Sequence, residues 1–162
     1  MGESHMSLAQ ELIEISLNQA MERYYENPSR ETFHQILDHL VRAYVFNLTV
    51  TFPIEIGDTG GHYKLFETPD YGYAYCVYTK NGTNPDLKES EMQGFIPWRS
   101  ILSKAIEDNV STGIVINPYS GHQALVWINP VYIRLIIKNA LKTLEDMKRN
   151  NEKPDSNSDE EK

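Results

Sequence analysis

The stretch Gly113-Ile114-Val115-Ile116-Asn117-Pro118-Tyr119-Ser120-Gly121 decides the fold. Three β-branched residues in a row favour strand, because two heavy atoms on Cβ stiffen χ1 and pack well on a pleated surface. A short apolar run that stops at a polar turn is the pattern of a buried strand. It stops at Asn117 and Pro118: proline fixes φ and lacks a donor, and asparagine can hydrogen-bond its own turn. The stretch therefore predicts a buried strand that opens into an exposed loop, with Asn117 and Pro118 as structural residues.

Downstream, Gln123 to Ile128 predicts a further short strand, and Asn129-Pro130 is a cap followed by a first helical turn. Val131, Ile133, Ile136, Ile137, Ala140, Leu141, Leu144 and Met147 give that helix an apolar stripe wide enough to dock on a sheet. Upstream, Pro97 is tolerated at the start of a helix whose buried side is Trp98, Ile101, Leu102, Ala105 and Ile106. The polar stretch from Lys80 to Gly94 has no period and reads as surface. Tyr71 to Thr79 and Tyr63 to Phe66 read as strands joined by an Asp70-Tyr71-Gly72 turn. Tyr44 to Phe52 alternates apolar and polar residues with period two, which predicts a strand ended by Pro53. Before it lie two helices. The first has Leu8, Leu12, Ile15, Ala20 or Gln19, and Tyr24 as its expected apolar stripe. The second is capped by Ser29 and buries Phe33, Ile36, Leu37 and Leu40.

This order of elements indicates an α/β (α+β) fold: a mixed sheet of about five strands packed with about four helices in one domain, residues 7–148. Residues 1–6 end in a cloning-site His-Met and read as an expression-tag remnant. Residues 149–162 lack a large apolar side chain and are expected to form a disordered acidic tail.

The 162 residues carry a formal net charge of −8. Five acids and two bases lie beyond Arg149 and one more acid is Glu3, so the body between is only mildly acidic. Without clustered Lys and Arg, nucleic acid is not an expected partner. A single cysteine, Cys76, excludes an intramolecular disulfide and a multi-cysteine metal cluster. No apolar run approaches membrane-spanning length and no signal-peptide core follows the N-terminus, so neither a membrane nor export is expected, and the reading is cytoplasmic.

Chemistry-bearing residues are sparse. His34 and His39 stand five apart on a helix, so they do not share a face, and no third or fourth ligand is suggested nearby; no metal and no cofactor are expected. Cys76 sits inside a strand between Tyr75 and Val77 and reads as a small core residue. Asp58-Thr59-Gly60 superficially resembles an aspartic-protease motif, but a second carboxylate motif is missing and a turn accounts for it. Ser120 and His122 flank Gly121 and could form a nucleophile and base, although no orienting acid is specified. With Tyr119 they read better as part of a recognition loop at the edge of a rigid sheet. Tyr71, Tyr73 and Tyr75 share one face of their strand; uncovered, they would expose a ribbon of amphipathic rings suited to an interface, and covered, they are core.

The aromatic strand ending in Val77-Tyr78-Thr79, then Phe95-Ile96-Pro97-Trp98 opening a helix, then Gly113 to Ser120, resembles the SseB-type N-terminal domain of the bacterial enhanced-serine-sensitivity proteins, over about Asn27 to Asn139. That family has no established enzymatic activity or catalytic residues for the resemblance to carry over. The resemblance implies a noncatalytic protein-interaction or regulatory module, at a secretion or immunity locus, with a protein partner and with homo-oligomers an open option. The residues themselves, not the resemblance, suggest its binding face: Tyr71, Tyr73, Tyr75, Tyr119, Ser120 and His122. The alternative is a small hydrolase or ligand-binding enzyme built on Ser120 and His122.

Overall fold

The computed structural model describes residues 7–58, 60–70, 72–79, 87–108, 112–118 and 125–152. Two serines start the first two helices in the same way. Ser7 before α1 (Leu8–Glu26) and Ser29 before α2 (Arg30–Val45) each accept a hydrogen bond from the backbone three residues on, at 3.1 Å, while Gln10 and Thr32 bond back to the cap amides. Such reciprocal boxes satisfy amide groups that the first turn cannot pair internally. Helix α1 docks through Ile13, Leu17, Ala20 and Met21. The stripe predicted from Leu8, Leu12 and Ile15 lies on the opposite side and is 71, 53 and 44% exposed. α1 is apolar at two opposed phases of the helical period, and only packing against α2 selects between them.

The expected strand from Tyr44 to Phe52 is also corrected. Tyr44 and Val45 finish α2, Asn47 turns the chain at φ 50°, and β1 begins at Thr49 and runs to Gly57. Tyr44 continues the spacing of Leu37 and Leu40, so the helical period outcompetes the two-residue period there. Pro53 does not end the strand. Its carbonyl accepts from the Lys64 amide at 3.0 Å on the side away from β5 (Glu91–Pro97). The missing N–H therefore falls outside the β1–β5 ladder, where a proline is tolerated.

β1 is central in a three-stranded antiparallel sheet, β2-β1-β5, where β2 is Gly60–Tyr63. A four-stranded sheet has the order β3-β4-β6-β7, built from Leu65–Thr68, Gly72–Val77, Ile114–Ile116 and Val126–Ile128. Only β4–β6 is parallel. Thr51 and Tyr78 exchange two backbone bonds of 2.8 Å that join the sheets. The fold is mixed α+β in one unit, with seven strands rather than about five among the described residues. Lys64 divides the expected Tyr63–Phe66 strand in two, and β5 was hidden in a stretch without a period.

Helices α3 (Trp98–Glu107) and α4 (Pro130–Glu152) complete the helical layer. Pro97 ends β5 and serves as the cap of α3, and the Asn129 side chain caps α4 by accepting from the Tyr132 amide at 3.0 Å. α4 extends through Glu152, past the predicted boundary at Arg149, whose guanidinium reaches Glu145 and Asp146 one turn back. Such i,i+3 and i,i+4 pairs support an exposed helix. Ile114, Val115 and Ile116 are all fully buried, as a strand covered on both faces requires. No helix among the described residues is long and apolar enough to cross a membrane.

Candidate functional site

The Asn117 backbone takes φ 49°, a left-handed conformation that asparagine tolerates better than most residues. Its amide bonds the neighbouring strand end: Oδ1 accepts from the Thr79 amide at 3.1 Å, and Nδ2 donates to Thr79 Oγ1 at 3.3 Å. Thr79 Oγ1 in turn donates to Asn18 of α1 at 3.0 Å. Asn117 thus ties the ends of β6 and β4 to the first helix, where its own turn was expected to be the partner.

Pro118 lines a cleft of about 130 Å³ shared with Pro53, Lys64, Leu65, Phe66, Cys76 and Tyr78. It forms where β1 and β4 diverge beyond the Thr51–Tyr78 junction. At its edge Lys64 Nζ lies 2.6 Å from Glu91 Oε2, with the glutamate side chain only 2% exposed. Glu91 Oε1 also accepts from the Lys88 amide at 3.0 Å. Burial pushes the Glu91 carboxyl up, but the hydrogen bonds from Lys64 and Lys88 and their charges outweigh it and hold the carboxyl below its usual range. Lys64 is therefore engaged as a counter-ion.

Cys76 is buried and its thiol donates to the Lys64 carbonyl at 3.5 Å. Burial pushes the thiol up to about 12, against a smaller opposing effect of Lys64. A thiol so placed is a poor nucleophile at neutral pH. An aromatic disulfide reagent is accordingly expected to label native Cys76 about a hundredfold or more slowly than the urea-unfolded chain. Labelling at equal rates in both states would contradict this placement.

The Lys64–Glu91 pair makes a second prediction. Lys64→Met leaves a carboxylate at a buried position, expected to cost about 2 kcal/mol at pH 7, less than a fully buried pair because Lys64 is partly exposed. In the wild type the lowered Glu91 carboxyl adds stability above the ordinary carboxylate range, and that stability is lost as pH falls through the folded value. In the variant the Lys64 bond and charge are gone and only the Lys88 amide and charge still oppose burial, so the carboxyl rises relative to the wild type. The difference between the two proteins should shrink in urea titrations from pH 7 toward pH 4; a constant difference would show that the ion pair is not its source.

The predicted tyrosine face divides. Tyr73 is 48% exposed at the start of β4, whereas Tyr75 is core. The Tyr75 ring meets Tyr63 edge-on at 5.5 Å, Tyr63 stacks on Phe52 at 4.6 Å, and Lys104 Nζ sits 5.0 Å above Tyr63. The Tyr75 hydroxyl donates to Asp108, and burial followed by that bond raises its phenol. The two rings share a strand face but not an environment: Tyr75 lies against Tyr63 and Asp108, while Tyr73, two residues nearer the strand start, is half exposed. Tyr71, Tyr119, Ser120 and His122 lie outside the described residues. His34 is exposed and His39 half-buried with no partner for Nδ1. Among the described residues no group of three His, Cys, Asp or Glu side chains could hold a metal ion.

Sequence reasoning missed the cleft and the Lys64–Glu91 pair, whose members are distant in the chain and share no motif. It also placed Leu8, Leu12 and Ile15 of α1 on the stripe of Ala20 and Tyr24, of which only the last two meet the core. In comparisons with known proteins, the chain matches no family model, no characterised protein and no solved structure.

Proposed function

We propose that the chain is a noncatalytic protein-interaction or regulatory module of the SseB-like kind, acting in the cytoplasm on a protein partner. The observation that supports this reading is the outer side of α1. Leu8, Leu12 and Ile15 follow one another along one helical stripe, all exposed, and the backbone beside exposed Phe46 is tied to the same helix through Gln10. Single exposed apolar residues are ordinary, but a file of large ones on a well-capped helix marks a surface for another protein. The chemistry at the cleft favours binding over catalysis: its thiol is held protonated and its lysine is held by Glu91.

The test compares wild-type and Leu12→Asp/Ile15→Asp chains as baits in the same bacterial extract. A protein retained by the wild type and lost by the double variant, with the far-UV circular dichroism of the two chains alike, is the expected result. Identical retention by both chains would overturn the reading. Hydrolysis of an ester or peptide substrate that is abolished by Ser120→Ala would put the enzyme alternative in its place.

A further inference from the structure

Strand β5 ends its sheet, with β1 on one side and no strand on the other among the described residues. The register shows where its polar groups point. Phe95 opposes Thr51 and Gln93 opposes Pro53. Thr51 gives both backbone groups to Tyr78, and Pro53 has no N–H and gives its carbonyl to Lys64. Facing residues in an antiparallel ladder exchange both bonds or neither, so the N–H and C=O of Gln93 and Phe95 point away from β1. Such an edge is a template for a further strand, and proteins commonly blunt it with lysine, proline or a bulge. From Met92 to Ile96 β5 has none of these and no charge. Met92 and Phe95 are 59 and 61% exposed on its two faces. Glu91, the one charge in the strand, is neutralised by Lys64.

We infer that β5 pairs antiparallel with β5 of a second copy of this chain, about a two-fold axis through Gly94. The available groups select the register. Centred on Gly94, Gln93 of each protomer faces Phe95 of the other, and every outward N–H and C=O of those residues is paired. The next pair out would be Pro97, which has no N–H, and Glu91, whose N–H is already bonded to the Lys88 carbonyl. Centring on Phe95 instead sets the Gln93 carbonyl against the proline nitrogen and leaves it unpaired. On the axis the two Gly94 residues form a close pair, with Cα atoms about 4.5 Å apart. A Cβ there would come within 2.7 Å of Phe52 Cζ, so the space over Gly94 is already taken by that ring. Met92 then packs beside Ile96 of the other protomer, and two three-stranded sheets become one of six strands.

This interface is independent of the outer face of α1 and of the partner reading built on it. Each copy has a net charge of −8, so approach is opposed at long range and association strengthens as salt shortens the screening length to about 8 Å at physiological ionic strength. The test is sedimentation equilibrium of the full chain together with amide exchange. The wild type should dimerise reversibly, more tightly with added salt, and Phe95→Lys should be monomeric with an unchanged circular dichroism spectrum. In the wild type, exchange at the Gln93 and Phe95 amides should slow about tenfold or more between dilute (about 5 μM) and concentrated (about 500 μM) protein, with Gly94, bonded to β1, unaffected. That measurement decides the matter even if the variant misfolds. A wild type that stays monomeric, exchange at Gln93 and Phe95 that ignores concentration, or a dimer that survives Phe95→Lys and is lost in Leu12→Asp would overturn the inference.

Discussion

Gly113→Ala is expected to cost about 4 kcal/mol or more, enough to unfold much of a population whose total stability is typically 5–15 kcal/mol. Two effects combine. Gly113 sits at φ +113°, a conformation that residues with a Cβ rarely adopt. A Cβ there would lie 2.2 Å from the Ile128 carbonyl oxygen and 3.0 Å from Asn129 Cα. Both obstacles are backbone, so relief requires parting β6 from β7 at the point where Asn129 starts α4. The Gly113 carbonyl also accepts from the Tyr75 amide at 2.9 Å, so the same shift disturbs the parallel β4–β6 pair. Gly72→Ala is the matched control: its φ is +94°, but the nearest atom to a new Cβ is a Thr112 methyl at 3.7 Å. It should lose only the backbone strain, about 1–2 kcal/mol. Urea unfolding of both variants measures the difference, and equal losses would refute the clash at Ile128.

Asn117→Ala is expected to cost about 3 kcal/mol, from two lost hydrogen bonds at a buried position and a left-handed conformation without an asparagine to ease it. Asn117→Gly separates the contributions, since glycine takes φ 49° freely; it should lose about 2 kcal/mol. Because Thr79 passes the link on to Asn18, amides near the middle of α1 should also exchange faster in both variants. Full stability in Asn117→Gly would mean that the side-chain bonds contribute nothing.

Local signals in the sequence held where one residue type answers a local need. The caps at Ser29 and Asn129, the helix after Pro97 and the buried strand at Ile114–Ile116 each depend on a few neighbouring residues. Tyr44 to Phe52 misled because a nine-residue alternation contains the end of a helical stripe, and neighbouring contacts of α2 decide between two periods that the residues satisfy equally. β5 was invisible because an edge strand with one face partly open needs no alternation; Gly94 is there for the Phe52 ring and Glu91 for Lys64. At the candidate site, Cys76 as core and Asn117 as a strand terminus follow from residue type and context, whereas the Lys64–Glu91 pair and the division of Tyr73 from Tyr75 follow from where β1, β4 and the helices meet.

By itself the sequence determined the class of fold, the starts of the later helices and the central buried strand, since caps, prolines and β-branched runs act within a turn or a strand. Tertiary structure alone decided which face of α1 is buried, how β1 joins two sheets through Thr51 and Tyr78, and which backbone groups of β5 remain outward. These depend on contacts between segments tens of residues apart, whose free energies arise only when the segments meet, and no local pattern encodes them.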